Sequence, residues 1–228
     1  MSKLNIGILH PGQMGISIAA SAQNTGHTVY WASEGRSRHT LARAEKFNLL
    51  DTYNLKKLCE TCSFIISVCP PHAAEDVANN VSSCGFNGFY IDANAISPQR
   101  AIRIGQKMAA AGISFVDGGI IGPPAWNPGK TWIYLSGNDA SVVASCFSAG
   151  PLETVVMGEK VGKASALKMC FAAYSKGTRA LLCAILAVAD LYGARGELQQ
   201  QWSRNDSDFS EKAVEKVKGA TAKAWRYI

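Results

Sequence analysis

Leu4-Asn5-Ile6-Gly7-Ile8-Leu9-His10-Pro11-Gly12-Gln13-Met14-Gly15 runs an apolar, strand-like segment into a glycine turn, and Met14–Asn24 then reads as a helix closed by Thr25–Gly26. Glycines at such a turn let the backbone bend tightly and approach a pyrophosphate, which rests on the free N–H groups of the helix N-terminus. The dinucleotide fingerprint is G-x-G-x-x-G, and here His10 stands at its first glycine, with Gly12 and Gly15 at the other two. Gly12, Gln13, Met14 and Gly15 are therefore the candidate cofactor-binding residues of the loop. The bland alternative is an ordinary strand–helix turn with a packing glycine. For His10 the two readings are a packed loop histidine and a hydrogen-bonding group near the pyrophosphate.

Outward from this loop the chain alternates between two periods. Thr28–Ala32 is a second strand run and Ser37–Phe47 a helix. Phe64–Cys69 is a continuous apolar run stopped by Pro70–Pro71, as expected of a strand buried on both faces. A helix from about His72 to Val81 precedes strand Gly88–Asp92, and Ser97–Pro98 caps and starts a helix of about Gln99–Ala111. Ser114–Asp117 and Thr131–Leu135 are further short strands. Repeated strand–helix–strand order predicts an α/β fold: a Rossmann-type, doubly wound, mostly parallel sheet over residues 1–160.

After about Gly158 the character changes. Val161–Tyr192 holds no proline and its Ala, Leu and Met fit one long helix, with Gly177 its weak point. A short helix after Gly196, a polar break at Ser203–Asp208 and an amphipathic Phe209–Trp225 follow. Residues 161–228 are thus predicted to form a smaller all-helical domain. About 70 residues of helix make a small core, so a homodimer is expected to complete it.

The chain has 228 residues, 47% apolar and 18% charged, which excludes collagen-like and disordered classes. The longest uninterrupted apolar stretch, Ala180–Ala189, is too short to span a bilayer, so no membrane association is expected. The N-terminal apolar run lacks a small-residue cleavage site and reads as a strand rather than a signal peptide. Seven cysteines, an odd number with no compact framework, fit a reducing cytoplasm, and Cys59-x-x-Cys62 lacks a second pair or a histidine at metal spacing, so no metal is expected. The net charge of +6 has no basic stripe interleaved with aromatics; it fits solubility or an anionic small molecule rather than nucleic acid.

The end of the second strand selects the cofactor. An NAD site offers Asp or Glu there to hold the ribose hydroxyls. Here Ser33, Arg36 and Ser37 offer hydroxyls and a guanidinium, which suit the 2′-phosphate of NADP. Should Glu34 rather than Ser33 face the ribose, NAD is the cofactor. Cys69 and Pro70, at the end of the strand that begins at Phe64, complete the cofactor set together with Asn94.

At this point the chain resembles the β-hydroxyacid dehydrogenase family, which includes 3-hydroxyisobutyrate and 6-phosphogluconate dehydrogenases, and within it a branch with a short helical C-terminal domain. The family segment D-x-S-T-x-x-P corresponds to Asp92-Ala93-Asn94-Ala95-Ile96-Ser97-Pro98, with Asn94-Ala95 in place of Ser-Thr. D-A-P-V-S-G-G corresponds to Asp117-Gly118-Gly119-Ile120-Ile121-Gly122-Pro123, where Ile121 stands for the serine that holds a substrate carboxylate. The helix start G-x-x-x-x-x-K-x-x-N-N corresponds to Gly162–Lys168 and places Lys168 at the catalytic lysine, with Ala172 at the usual asparagine. The resemblance implies an NADP-dependent oxidoreductase moving a hydride between nicotinamide and a small β-hydroxyacid or related alcohol, in a site between the two domains. Lys168 would be the general acid/base; Asn94, Gly119, Ile121 and Gly122 would orient the substrate, with Lys176 two turns on adding charge for a carboxylate. Trp126 is either a pocket wall or a packing residue. Two alternatives are an imine or ketone reductase with a more apolar pocket, and an NADP-binding sensor or scaffold without turnover.

Overall fold

The computed structural model describes residues 3–221. Its first unit holds eight strands: β1 (Asn5–Leu9), β2 (Thr28–Trp31), β3 (Leu50–Asp51), β4 (Phe64–Ser67), β5 (Phe89–Asp92), β6 (Ser114–Ile121), β7 (Thr131–Ser136) and β8 (Leu152–Val156). They form one sheet in the order β3-β2-β1-β4-β5-β6-β7-β8, parallel throughout except where β7 runs antiparallel to β6. The order reverses beside β1, the switch point at which open α/β sheets bind their ligands. β1, β4, β5 and β6 end side by side, with Leu9 opposite Ser67, Ser67 opposite Asp92, and Asp92 opposite Asp117.

Helices cover both faces. Helix α1 (Gln13–Asn24) and the short α6 (Ala140–Ser145) bury Ile16, Ile18, Ala22 and Val143 with Ile6, Ile8, Ile91 and Ile133. On the other face α3 (Leu55–Thr61), α4 (Ala74–Ser83) and α5 (Pro98–Ala110) bury Leu58, Val81, Ile104 and Met108 with Ile65 and Tyr90. Three helices start on side-chain caps: Ser37 accepts from Thr40 N at the head of α2 (Arg38–Lys46), Asn54 from Lys57 N, and Ser97 from Arg100 N.

Four elements differ from the sequence reading by being present at all: β3, α3, α6 and β8. α3 is two turns long with two buried residues, too short to display a helical period. β8 leaves three of its five residues largely exposed at the sheet edge, so its pattern lacks the buried signature of a central strand. β6 runs four residues further than predicted, straight through Gly118–Gly119. Gly119 serves close packing, because a Cβ on it would lie 2.6 Å from the carbonyl oxygen of Ala164.

The long helix is present as α7 (Lys163–Ala172), a π-helical stretch Ala173–Gly177, and α8 (Thr178–Leu191). The wide turn ends at Gly177, the predicted weak point. Residues 1–169 group as one compact unit and 170–228 as a second, and the first turns of the long helix pack on β6. By length and composition Lys163–Leu191 is apolar enough to cross a membrane, a property the count of uninterrupted apolar residues passed over.

The second unit comprises α8, α9 (Arg195–Asn205) and α10 (Phe209–Thr221); the residues beyond 221 in the predicted Phe209–Trp225 helix lie outside the described range. Leu182, Leu186 and Ala189 are buried on α8, Trp202 meets Phe209 edge-on at 5.2 Å, and Arg195 pairs with Asp190 at 2.9 Å. Large apolar side chains remain outside: Leu181 is 61% exposed, Val188 56%, Leu191 77% and Tyr192 79%.

Candidate active site

The fingerprint loop follows β1. His10 takes φ 66°, the left-handed conformation that the first glycine of the pattern would adopt without strain. Its carbonyl accepts from Gly12 N at 2.7 Å, and a Cβ on Gly15 would stand 2.6 Å from that same oxygen. Gly15 is therefore obligatory for the turn, whereas His10 is tolerated at a cost. Helix α1 starts at Gln13 with no side-chain cap and no acidic residue in its first turn, which leaves its N–H groups for an anion.

Beside the loop lies a cavity of about 240 Å³ lined by Leu9, His10, Ala32, Glu34, Arg36, Leu55, Val77 and Asn80. Both candidate selectors, Glu34 and Arg36, border it. Ser33 and Ser37 do not: Ser33 N donates to Asp51 Oδ1 at 3.2 Å, and the Ser37 hydroxyl caps α2. Burial lowers the pKa of Arg36, and its Nε and the Nδ1 of His10 are buried without a hydrogen-bond partner. Orphaned polar atoms on a cavity of mixed polar and apolar lining, next to an uncapped helix start, fit the adenosine and phosphate groups of a dinucleotide.

A second cavity, about 190 Å³, lies on the α1 side of the loop, lined by Met14, Val68, Cys69, Pro71, Ala93, Asn94, Ala95, Ile120, Gly122 and Lys168. The structure thus brings Met14, Cys69, Asn94, Gly122 and Lys168 together as the sequence reading requires. Two positions shift by one residue: Pro71 rather than Pro70 borders the cavity, and Ile120 rather than Ile121, since successive strand residues face opposite ways. Gly119 lies beneath α7 instead. Trp126 stacks on Phe47 at 5.2 Å, stays 42% exposed and lines a separate cavity with Gln13, Ile16, His39 and Arg43, while Ala125 N donates to Ser17 Oγ at 2.9 Å. Lys176 falls in the π-helical stretch, across which the 3.6-residue spacing from Lys168 does not run.

Buried polar groups hold this floor in place. The Asn94 side chain accepts from Cys69 N and donates to Ser67 Oγ at 3.1 Å, tying the ends of β4 and β5 together. Its amide is thus largely engaged inside the protein. Beneath it Asp92 is wholly buried; burial first, and the neighbouring Asp117 charge, push its carboxyl up to about 7 against the hydrogen bonds from Asn94. Asp117 faces the opposite situation. Its Oδ2 accepts from Gly162 N at 2.9 Å, Ser165 N at 3.0 Å and Ser136 Oγ at 3.1 Å, and its Oδ1 from Ser165 Oγ at 2.6 Å. A buried carboxylate on β6 therefore caps α7, and Lys168 follows one turn later. Sequence reasoning missed Ser165 in this clamp; a serine three residues after a glycine at a helix start was the available signal.

Cys59 on α3 and Cys62 just after it lie buried, their thiols pushed up to about 12 chiefly by burial, which makes them inert apolar packing. Among the described residues no group of three His, Cys, Asp or Glu side chains is arranged to hold a metal ion.

Residues 5–146 match the NAD-binding domain of 6-phosphogluconate dehydrogenase. A 28.5 kDa uncharacterised protein from the 7S RNA 5′ region of Methanothermus fervidus is 32% identical over 166 residues, covering 72% of this chain and 63% of that protein. The match thus spans under two thirds of the curated relative. A conserved protein of unknown function, whose solved structure resembles 3-hydroxyacid dehydrogenases, superposes with a TM-score of 0.78 at 27% identity, covering 98% of this chain and 84% of the other. An imine reductase from Myxococcus stipitatus in complex with NADP+ shares the fold at TM-score 0.68 and 19% identity, over 96% of this chain and 78% of its own. With that match lying over β1 to β7 and the fingerprint loop, this chain belongs to the 6-phosphogluconate dehydrogenase NAD-binding-domain family.

Proposed function

We propose that this protein is an NADP-dependent oxidoreductase that interconverts a small β-hydroxyacid, or a related alcohol, with its carbonyl. The observation that carries the reading is the joint lining of one cavity by Met14 of the fingerprint loop, Cys69, Asn94, Gly122 and Lys168. Bound NADP supplies or accepts the hydride. The chain's own residues do the rest. The loop Gly12–Gly15 and the start of α1 bind pyrophosphate, and Arg36 takes the 2′-phosphate. Lys168 gives a proton to, or takes one from, the substrate oxygen as hydride moves, and Gly122 N–H faces the substrate's carboxylate. Val68, Ala93, Ala95 and Ile120 exclude water from the reacting carbon.

The same apolar lining favours a second reading, reduction of an imine or ketone without a carboxylate. A panel of small hydroxyacids, ketones and cyclic imines, run with NADPH and NADP+, separates the two. Turnover of hydroxyacids that falls at least 100-fold in Lys168→Met, with NADPH affinity kept within a few-fold, is the expected result. Equal turnover in that variant sinks the acid/base assignment. Parallel titration with NADPH and NADH, with Arg36→Ala as control, tests the cofactor; tighter NADH binding would assign the ribose to Glu34.

The partner of the second unit is, in the same reading, another copy of this chain. Leu181, Val188, Leu191 and Tyr192 put large apolar surface on one helix and its C-terminal turn, more than a monomer ordinarily exposes. A homodimer in a reducing, cytoplasmic setting suits the seven free cysteines. Sedimentation equilibrium of a monomer, or flotation with lipid vesicles, would overturn it.

A further inference from the structure

The histidine that displaces a fingerprint glycine has a place and a set of neighbours that its loop role does not explain. A residue needed only to make the turn would be best as glycine, since φ 66° costs any other side chain except Asn or Asp. His10 instead projects from the loop into the 240 Å³ cavity, opposite Arg36. Its Nδ1 is buried there with no partner, and so is Arg36 Nε. Among the described residues Arg36 forms no ion pair, although Glu34 borders the same cavity. The remaining walls, Leu9, Ala32, Leu55, Val77 and Asn80, carry no charge. Two nitrogen-bearing side chains thus converge, half-buried, on a cavity where, among the described residues, Glu34 is the one carboxylate and neither His10 Nδ1 nor Arg36 Nε has a hydrogen-bond partner.

We propose that His10 and Arg36 together read the phosphate monoester on the adenosine ribose of NADP, His10 being the residue that converts a general dinucleotide loop into a 2′-phosphate-selective one. This deepens the cofactor reading above and rests on it. Burial, and then the Arg36 charge, hold the His10 pKa down to about 4 against a smaller upward pull from the Leu9 backbone. The imidazole is accordingly neutral beside the guanidinium. A phosphate dianion placed between them reverses the local field, and an imidazolium donating to that phosphate becomes the favoured state. The other charges nearby are Glu34 on the same loop, Arg43, whose Nη1 donates to Pro11 O at 3.1 Å, and the Cys69 thiol that faces Arg36. None of them supplies an anion in contact with His10.

The test compares adenosine 2′,5′-bisphosphate with adenosine 5′-monophosphate, which differ only in the phosphate at issue. Binding of each is measured by isothermal titration calorimetry at about pH 6, where imidazole charges readily. His10→Asn keeps a residue that accepts the left-handed conformation, and His10→Gly restores the family pattern should the first variant fold poorly. The expected result is a preference for the bisphosphate that falls about tenfold in either His10 variant, the effect of one charge-assisted hydrogen bond. An unchanged preference, or an equal loss of both ligands, would make His10 a loop residue only and overturn the proposal. Preference lost in Arg36→Ala but kept in the His10 variants would overturn it too, while leaving the NADP reading intact. Failure of the parent protein to bind either ligand would refute the cofactor reading itself, and this inference with it.

Discussion

Gly119→Ala tests how Lys168 is put in place. The added Cβ would stand 2.6 Å from the Ala164 carbonyl oxygen and 3.2 Å from Lys168 Cβ, both on α7. Ordinary contact distances are roughly 3.5 Å, so strand and helix must part by roughly 0.5–1 Å. That displacement stretches the Asp117 bonds to Gly162 N and Ser165 N, now 2.9 and 3.0 Å, to or past the limit of useful hydrogen bonds. Overpacking of this kind costs about 1–3 kcal/mol, and two weakened charge-assisted bonds add about 1 kcal/mol more, for about 2–4 kcal/mol in all. For a domain of this size the melting temperature should drop by roughly 5–15 °C. Hydrogen exchange should quicken first at the Gly162 and Ser165 amides, with β1 and β4 unaffected. Gly196→Ala is the matched control. It lies within α9 with nothing within 4 Å of the added Cβ, and should stabilise by about 0.5–1 kcal/mol. A Gly119→Ala protein with parental melting temperature and parental exchange at those two amides would refute the account of how α7 is seated.

Three further outcomes follow from the same geometry. Because the Asp92 carboxyl titrates at about 7 when folded and near 4 when unfolded, the folded state binds the extra proton; stability is full below about pH 4 and declines as pH rises to about 7. Asp92→Asn should flatten that decline and raise stability at pH 8 by no more than about 4 kcal/mol, measured by urea titration, and a steeper decline in the variant would contradict the assignment. Asn94→Ala removes the tie between Cys69 N and Ser67 Oγ; it should cost about 1–3 kcal/mol and loosen the Cys69 amide to exchange, whereas a stable variant with altered turnover alone would make Asn94 a substrate ligand instead. Leu181→Glu with Val188→Glu should leave the first unit's melting unchanged while reducing the sedimenting mass to that of one chain; an unaltered mass would place the dimer contact elsewhere.

Much of the fold was legible because its signals are local. Apolar runs of four to six residues, the loop after the first strand, and the helix starts at Ser37 and Ser97 each act over a few residues, so β1, α1, β4, β5 and α5 appear in sequence within a residue or two of their true ends. The cofactor loop came from motif spacing, and the place of Lys168 from the resemblance of Gly162–Lys168 to the family's helix start. Edge elements such as β8 and the two-turn α3 escaped, since neither is long enough or buried enough to print a period on the sequence.

Tertiary structure alone decided what those residues face. Whether Ile120 or Ile121 lines the site depends on the phase of β6, and that phase is set by α7 lying on Gly119, 45 residues away in the chain from Ala164. Likewise only the fold shows that the Asn94 amide is engaged between Cys69 and Ser67 while Asn94 borders the cavity, and that Trp126 stacks on Phe47. Sequence carries the short-range chemistry of strands, turns and caps. The direction of a side chain at a site is fixed by packing between segments distant in the chain, and one residue's shift in register there turns a ligand-facing group into a core one.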